Sequence, residues 1–394
     1  MPDISIMYDR SETDELGIRL TAEDMGVELG YLPFYKVSVG FDNGGHSFRS
    51  LGKDLTEDLG ETRVVLNRTQ SKGRRIYGAT IMEALDKYVM NPLHVESTCQ
   101  SKIRTLLILM KNGIRIPRTV YIPANVREAY GDGRTLDNTE AVARLIEQQL
   151  GDERVVVKPD AGTHGRGVGL SADHGELVEL IGEIEPSVIN LSGVVAQEFI
   201  PKWFYDLRIL VEKERGKAAY CPPTALVRGG FTEFRTNTFL GNMVFRVELP
   251  EVVRRESEKC AEALTGGKEA YVIALDAMPY IGDTKFADED ELKSHFTGLN
   301  EAFRKVKEVK ADPEKKTKFR AYSEKIEEAY GDYMATDAYA NIQAVVQESL
   351  DKTRDKVVFH EGNSCPEFWE QTRIVGGINV AESILRSAVS MLDA

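Results

Sequence analysis

One run limits the fold of this chain more than any other: Val155-Val156-Val157-Lys158-Pro159-Asp160-Ala161-Gly162-Thr163-His164-Gly165-Arg166-Gly167-Val168. Three β-branched residues read as a buried strand that delivers a lysine, and glycines at 162, 165 and 167 then open a turn. Backbone N–H groups approach phosphate oxygens closely where no Cβ intervenes, and Lys158 adds a compact positive charge. No Gly-Lys-Ser/Thr follows, so this is not a Walker loop. Taken alone, the run fits a phosphate cradle or a plain hairpin. His164 reads as a shaper of the loop, not as a base.

The rest of the chain alternates apolar runs with helical patterns, which implies an α/β fold with a parallel sheet. Ile4-Ser5-Ile6-Met7-Tyr8 reads as a strand, Thr13 to Leu29 as a helix ended by Gly30, and Arg63-Val64-Val65-Leu66 as a buried strand. The polar loop Asn67-Arg68-Thr69-Gln70 follows that strand. Residues 1–95 are therefore expected to form an N-terminal α/β domain, with ligands at the carboxyl ends of its strands. Asn91-Pro92 marks the boundary. Residues 96–195 form a lobe carrying the glycine-rich turn, and residues 196–394 a C-terminal lobe. A Lys-, Glu- and Tyr-rich helical insertion occupies about 281–350 of it. Its apolar stripes are Leu299, Phe303, Val306 and Val309, then Phe319, Tyr322, Ile326, Tyr330 and Tyr333, with Asp312 as N-cap and Pro313 as first helical residue. A helical hairpin packed on its own domain, a dimer contact and a lid all fit this pattern, so a homo-oligomer stays open.

With 394 residues, one core cannot serve the whole chain, and two or three domains are expected. A net charge of -13 argues against general binding to nucleic-acid backbones, though not against a local basic pocket. Cys99, Cys221, Cys260 and Cys365 are scattered without a CxxC pair, so neither a disulfide framework nor a zinc site is signalled. The first residues read as a strand and not as a signal peptide, and no stretch is long and apolar enough to span a bilayer. A cytoplasmic location, no membrane partner and no nucleic-acid partner are the expectations.

Three further groups of residues carry chemistry. Gln197-Glu198-Phe199-Ile200, followed by Asp206-Leu207-Arg208, suits adenine and ribose: backbone groups pair with the base edge and a carboxylate accepts a ribose hydroxyl. Phe234-Arg235-Thr236-Asn237, with Arg208 and Arg228 upstream, gathers arginines that call for phosphate or carboxylate ligands or for structural ion pairs. Asp276 at the end of an apolar strand, with Glu361 and Asn363 sharing one face of another, supplies the hard oxygens that suit Mg²⁺. His360 then points away from that face. Cys365 lacks an obvious base and reads as a small buried residue.

Taken together and in this order, these residues resemble the RimK-type branch of the ATP-grasp ligases, from about Arg63 to the C-terminus apart from the helical insertion. The resemblance implies an α/β fold (α+β in the ATP-grasp sense), with a parallel-sheet N-terminal domain and a two-lobed ATP-grasp module. It implies ATP and Mg²⁺, or Mn²⁺ in its place. In this reading Asn67-Arg68-Thr69 is the N-domain loop, and Ser101-Lys102-Ile103-Arg104 opens the helix bearing the first ATP lysine. Lys158 is the second, with Gly162, Thr163, His164, Gly165, Arg166 and Gly167 as the phosphate loop. Gln197, Glu198, Phe199 and Ile200 are the adenine hinge, and Asp206 is the ribose acid. Arg235, Thr236 and Asn237 are the phosphate and substrate segment, while Asp276, Glu361 and Asn363 are the metal triad. Gly376-Gly377-Ile378-Asn379-Val380-Ala381 resembles the start of the closing helix. Arg208, Arg235 and Asn237 are thereby the candidate catalytic residues, and Arg68 or Arg228 the holder of a substrate carboxylate. The implied reaction joins a carboxylate to an amino acid or another amine through an acyl phosphate, releasing ADP and phosphate. A nucleotide-binding module without turnover and an ATP-grasp kinase are the alternatives. The chain departs from the family at Thr238-Phe239-Leu240-Gly241-Asn242, where a His-Arg-Gly-Gly-like run is usual, and at Ser364-Cys365-Pro366-Glu367-Phe368-Trp369, in place of a Ser-Pro-Gly pattern.

Overall fold

The structure is a computed structural model and describes residues 2–50, 52–123, 127–129, 135–151, 154–162, 165–184, 193–236 and 241–392. The N-terminal body contains β1 (Ile4–Tyr8), α1 (Thr13–Met25), β2 (Leu29–Pro33), β3 (Val37–Asp42), β4 (Gly45–Ser50), β5 (Lys53–Asp54), α2 (Thr56–Glu61), β6 (Val64–Arg68), α3 (Lys72–Ala84) and β7 (Tyr88–Met90). Its main sheet is parallel in the order β2-β1-β6-β7, and a small antiparallel sheet, β3-β4-β5, stands beside it. Two sequence expectations need correcting here. Helix α1 stops at Gly26, not Gly30: Gly26 takes φ 70°, a left-handed turn that glycine adopts without a Cβ penalty, and Leu29 already belongs to β2. Asn67 and Arg68 are the last residues of β6, not the start of a loop.

Helices α4 (Leu93–Gln100) and α5 (Lys102–Lys111) come next. Ser101 caps α5 by accepting from Arg104 N–H at 3.1 Å. Val95, Cys99, Leu109 and Ile114 join the same core as Leu275 and Phe359, and Phe359 N–H donates to Arg115 O at 3.0 Å. These helices therefore bridge two bodies, α4 packing on α3 and α8 (Glu251–Thr265) and α5 on β18 (Val357–Asn363) and α8. That corrects the expectation that a lobe starting at 96 holds them.

The smaller lobe is built from β8 (Thr119–Ile122), β9 (Arg127–Ala129), β10 (Thr135–Asp137), α6 (Thr139–Leu150), β11 (Val155–Pro159), β12 (Gly169–Ser171), α7 (His174–Glu183) and β13 (Val194–Glu198). Four strands form an antiparallel sheet in the order β12-β11-β13-β8. Val120, Ile146, Val157 and Ile181 belong to its separate core. Strand β13 pairs along its whole length, so the expected break at 195 falls inside a strand.

The large body holds β14 (Tyr205–Lys213), β15 (Thr224–Gly229), β16 (Met243–Glu248), α8 (Glu251–Thr265), β17 (Tyr271–Pro279), α9 (Glu289–Lys310), α10 (Phe319–Met334), α11 (Asp337–Thr353), β18 (Val357–Asn363) and α12 (Val380–Ser390). Its antiparallel sheet runs β16-β15-β14-β17-β18. Parallel and antiparallel sheets layered with helices make this the expected α/β architecture. No helix among the described residues is long and apolar enough to cross a membrane.

Helices α9, α10 and α11 are the insertion between β17 and β18, and they lie on their own domain. Tyr333 Oη donates to Val244 O at 2.9 Å, and Arg246 N–H donates to Tyr339 Oη at 3.0 Å. The Asp312-Pro313 start is a correction: Asp312 Oδ1 accepts from Glu314 N–H at 2.8 Å in a turn, and α10 begins only at Phe319, where the aromatic stripe meets the core. The same turn braces the N-terminal body through Lys316–Glu12 at 2.7 Å and Arg320–Asp24 at 3.1 Å.

Gly17 of α1 marks the tightest contact of this junction. A Cβ built there would lie 2.1 Å from Trp369 Cε3, and an indole in a packed core cannot yield that distance. Gly17→Ala is expected to lower the unfolding free energy by at least about 2 kcal/mol through overpacking. Denaturant titration checks this, and an unchanged midpoint would contradict the contact.

Candidate functional site

A cavity of about 550 Å³ lies where the three bodies meet, within the range of small-molecule sites. Its walls include Arg68, Lys102, Lys158, Gly162, Gly165, Arg166, Gln197, Glu198, Phe199, Ile200, Asp206, Arg208, Arg228, Arg235, Thr236, Asp276, Glu361 and Asn363. Residues spread over nearly 300 positions of sequence are thus brought to one place. Gly167 is not in the wall; it takes φ 68° and a Cβ there would meet Pro159 Cδ at 3.3 Å, so it shapes the turn. Thr163, His164 and Asn237 lie outside the described residues.

One end of the cavity is cationic. Lys102, the first residue of α5, donates through Nζ to Asp160 O at 3.2 Å. Asp160 in turn caps α5, with Oδ1 accepting from Ile103 N–H at 2.8 Å and Ser101 Oγ at 3.0 Å. Lys158 projects from β11 in register with Val195, and its ammonium has no ion-pair partner within 4.0 Å among the described residues. Burial, reinforced by Lys102, pushes the Lys158 amine down to about 7. A buried, unpaired cation is costly, and two of them side by side call for a polyanion. Arg235 Nη1 donates to Gly165 O at 2.9 Å, and its guanidinium also pairs with Glu233.

Across the floor, four charges alternate over three strands. Asp206 faces Arg228 in the register of β14 and β15, and Arg208 faces Asp276 in that of β14 and β17. Arg228 grips Asp206 through two bonds of 2.8 Å and reaches Asp276 at 3.2 Å. Arg208 holds Asp276 at 2.8 and 3.0 Å. Although burial opposes its charge, these two guanidiniums hold the Asp276 carboxyl well below the usual carboxylate range. The structural ion-pair alternative is therefore what Arg208 and Arg228 display, and Arg228 is not a free holder of substrate carboxylate. Asp206 also accepts from Thr236 Oγ1, so both its oxygens are engaged, against the expectation of a free ribose acceptor. Arg68 is corrected likewise: it pairs with Asp14 at 3.3 Å and Glu15 at 3.5 Å, donates to Pro366 O at 3.2 Å, and stacks on Phe368.

Along β13, Glu198 accepts from Arg118 N–H at 2.8 Å and Arg118 Nε at 2.7 Å. Phe199 N–H donates to Arg154 O at 3.0 Å. Val156, Leu226 and Met278 add apolar surface to the cavity beside this segment.

The oxygens of Asp276, Glu361 and Asn363 differ in how far they are already engaged. Asp276 pairs with Glu361 across β17 and β18. Glu361 has no ion pair within 4.0 Å among the described residues, and Lys102 and Lys72 hold its carboxyl below the ordinary range against the effect of burial. Asn363 donates Nδ2 to Asp276 Oδ2 at 3.4 Å, which leaves its amide oxygen as an acceptor. No group of three His, Cys, Asp or Glu side chains is arranged for a metal among the described residues. Two carboxylates and an amide oxygen nevertheless fit Mg²⁺, which takes few protein ligands and completes its shell with phosphate and water.

Sequence reasoning placed His360 facing away, but it lines the cavity. The register slips between Asp276 and Ala277, whose partners are Glu361 and Phe359, so His360 is an extra residue in a bulge. Such an insertion breaks the alternation that the expectation relied on. Burial and Lys158 push the His360 imidazole down to about 4, and its Nε2 is buried without a hydrogen bond among the described residues. Lys202 was also missed; its Nζ donates to Thr236 Oγ1 at 2.9 Å, and burial pushes it down to about 8. The only sequence signal was its place two residues after the hinge. Lys72 and Cys365 line the cavity too; Cys365, read from the sequence as a small buried residue, follows the candidate metal strand, and Lys72 follows the polar loop at 67–70, but neither was singled out as a site residue.

No family model matches the chain. Among curated relatives, the alpha-aminoadipate–LysW ligase LysX of Sulfurisphaera tokodaii is 26% identical over 264 residues, covering 67% of this chain and 81% of the relative. The coenzyme gamma-F420-2:alpha-L-glutamate ligase of Methanocaldococcus jannaschii is 26% identical over 194 residues, covering 48% and 57%. Among solved structures, macrocyclase MdnC bound with precursor peptide MdnA from Microcystis aeruginosa MRC superposes with a TM-score of 0.53 at 14% identity, over 99% of this chain and 100% of that one. A Chryseobacterium gregarium RiPP-associated ATP-grasp ligase, in complex with ADP and a leader and core peptide, gives 0.53 at 16% identity over 100% and 98%. These two likenesses speak to the fold alone.

Proposed function

We propose that this chain, which belongs to the RimK type of ATP-grasp ligases, joins a carboxylate to an amino acid in a reaction driven by ATP, with release of ADP and phosphate. The observation that carries the site assignment is the convergence of Lys102 and Lys158 with Asp276, Glu361 and Asn363 in one cavity, with Lys158 lacking an anionic partner among the described residues. Phosphoryl transfer leans on positioning and electrostatics more than on proton transfer, so the lack of an obvious general base is no obstacle.

In this reading Lys102 and Lys158 take the nucleotide phosphates, and Gln197 to Ile200 border the base. Asp276, Glu361 and Asn363 hold Mg²⁺, which when bound offsets charge on the transferred phosphoryl group. Arg208 and Arg228 keep Asp276 ionised and oriented. Arg235, already at Gly165 O, lies within reach of phosphate oxygens. Thr236 fixes Lys202 and Asp206 relative to one another. The phosphorylated carboxylate is an acyl phosphate, and an amine then displaces phosphate from it to form the amide. The LysX and glutamate-ligase relatives point to an amino acid as one partner. The domain scheme follows from the same reading: an N-terminal body, a small lobe over the phosphates and a large body with the metal strand.

Calorimetric titration with a non-hydrolysable ATP analogue, with and without Mg²⁺, tests the reading. Tight binding that depends on Mg²⁺ is expected. Absence of binding in both conditions would leave the fold and remove the function.

A further inference from the structure

Among the cations that the N-terminal body brings to the cavity, Lys72 has no role above. Lys72 is the first residue of α3, and its side chain crosses to the small lobe, where Nζ donates to Gly162 O at 3.0 Å. Glu361, Lys102 and Arg75 line the same cavity and act on its charge electrostatically. Both local terms disfavour an ammonium here: the start of a helix carries a partial positive charge, and the group is largely withdrawn from water. A neutral carbonyl is a weak partner for it, whereas an anionic oxygen bonds an ammonium about twice as strongly.

Position says which anion it would meet. The base-bordering segment Gln197–Ile200 lies at the end of β13, and Lys158 on neighbouring β11 pairs with Val195 of that strand. Lys72 approaches from a different body, at Gly162 of the glycine-rich turn, in the cavity wall that Glu361 also lines. A nucleotide laid from the hinge past Lys158 toward Glu361 therefore presents its last phosphate to Lys72.

We propose that Lys72 is a nucleotide-binding residue for the terminal phosphate of ATP, with Gly162 O holding its ammonium in the free protein. The proposal rests on the nucleotide reading above. It makes the N-terminal body a sensor of ATP against ADP, because only the triphosphate reaches Lys72.

Wild type, Lys72→Met and Lys72→Arg are titrated calorimetrically with Mg²⁺·AMP-PNP and with Mg²⁺·ADP. Lys72→Met is expected to weaken AMP-PNP at least about 10-fold while ADP changes less than about 3-fold, and Lys72→Arg to keep most of the difference. A thermal melt no lower than wild type for Lys72→Met is expected, since a cation is removed from a helix start. Equal weakening of both nucleotides, or no change in either, would overturn the assignment of Lys72 alone. Failure of the wild type to bind either nucleotide would overturn the nucleotide reading beneath it.

Discussion

Glu361→Gln is expected to lower ADP release from ATP by about 10³-fold, in line with losses when one preorganised electrostatic group is removed. The substitution keeps the shape of the side chain, so β18 and its pairing with Asp276 survive. What it removes is the one carboxylate of the proposed metal set without an arginine ion pair among the described residues. Asp276 shares its charge with Arg208 and Arg228, and Asn363 offers only an amide oxygen. The variant should accordingly lose the Mg²⁺ dependence of nucleotide binding, which separates this role from a general loss of folding. Turnover within about 10-fold of wild type would remove Glu361 from the metal set.

Lys158→Met is expected to act in two opposite directions. Nucleotide binding weakens about 100-fold, the scale of one lost charge-assisted contact to phosphate. The free protein gains stability, by roughly 2 kcal/mol near pH 6, because a buried unpaired cation is replaced by an apolar side chain. The pH sign follows from linkage. Lys158 has an ordinary value of 10.5 and is pushed down to about 7 when folded, so between those values the unfolded chain binds more protons. Wild-type stability from this group therefore rises as pH increases through that window, and the advantage of the variant is full below about pH 7 and fades toward pH 10.5. Chemical denaturation at pH 6 and pH 9, beside calorimetry at both, reads the two effects. A variant that binds nucleotide normally, or one destabilised at pH 6, would contradict the proposed role of Lys158 as a phosphate lysine without an anionic partner among the described residues.

What the sequence disclosed was local. The β-branched run of Val155 to Val157 and the aromatic stripe of α10 are patterns within a few residues, and they placed the strand and the body of the helix, though not the helix start. Most of the residues singled out from the sequence meet in one cavity, because its pieces occur in a recognisable order. Pairing was not. Whether Arg228 meets a ligand or Asp206 depends on the register of β14 against β15, which no local pattern states. The bulge that turns His360 inward is a one-residue offset between β17 and β18. Lys72 reaches Gly162 across 90 residues, a contact set by how two bodies dock. The packing of α4 and α5 was hidden for a similar reason: they precede the small lobe in sequence, yet their apolar residues share one core with the N-terminal and large bodies.

The measurement that bears most directly on the ligase reading is a trapping assay. The protein is incubated with Mg²⁺·ATP, a panel of amino acids and short peptides as carboxylates, and hydroxylamine in place of the unidentified amine. An acyl phosphate formed in the cavity is captured as a hydroxamate. The expected result is ADP, phosphate and hydroxamate in equal amounts with at least one carboxylate, all lost in Glu361→Gln. ADP formed with the phosphoryl group retained on the product, and no hydroxamate, would make the protein a kinase and contradict the ligase account.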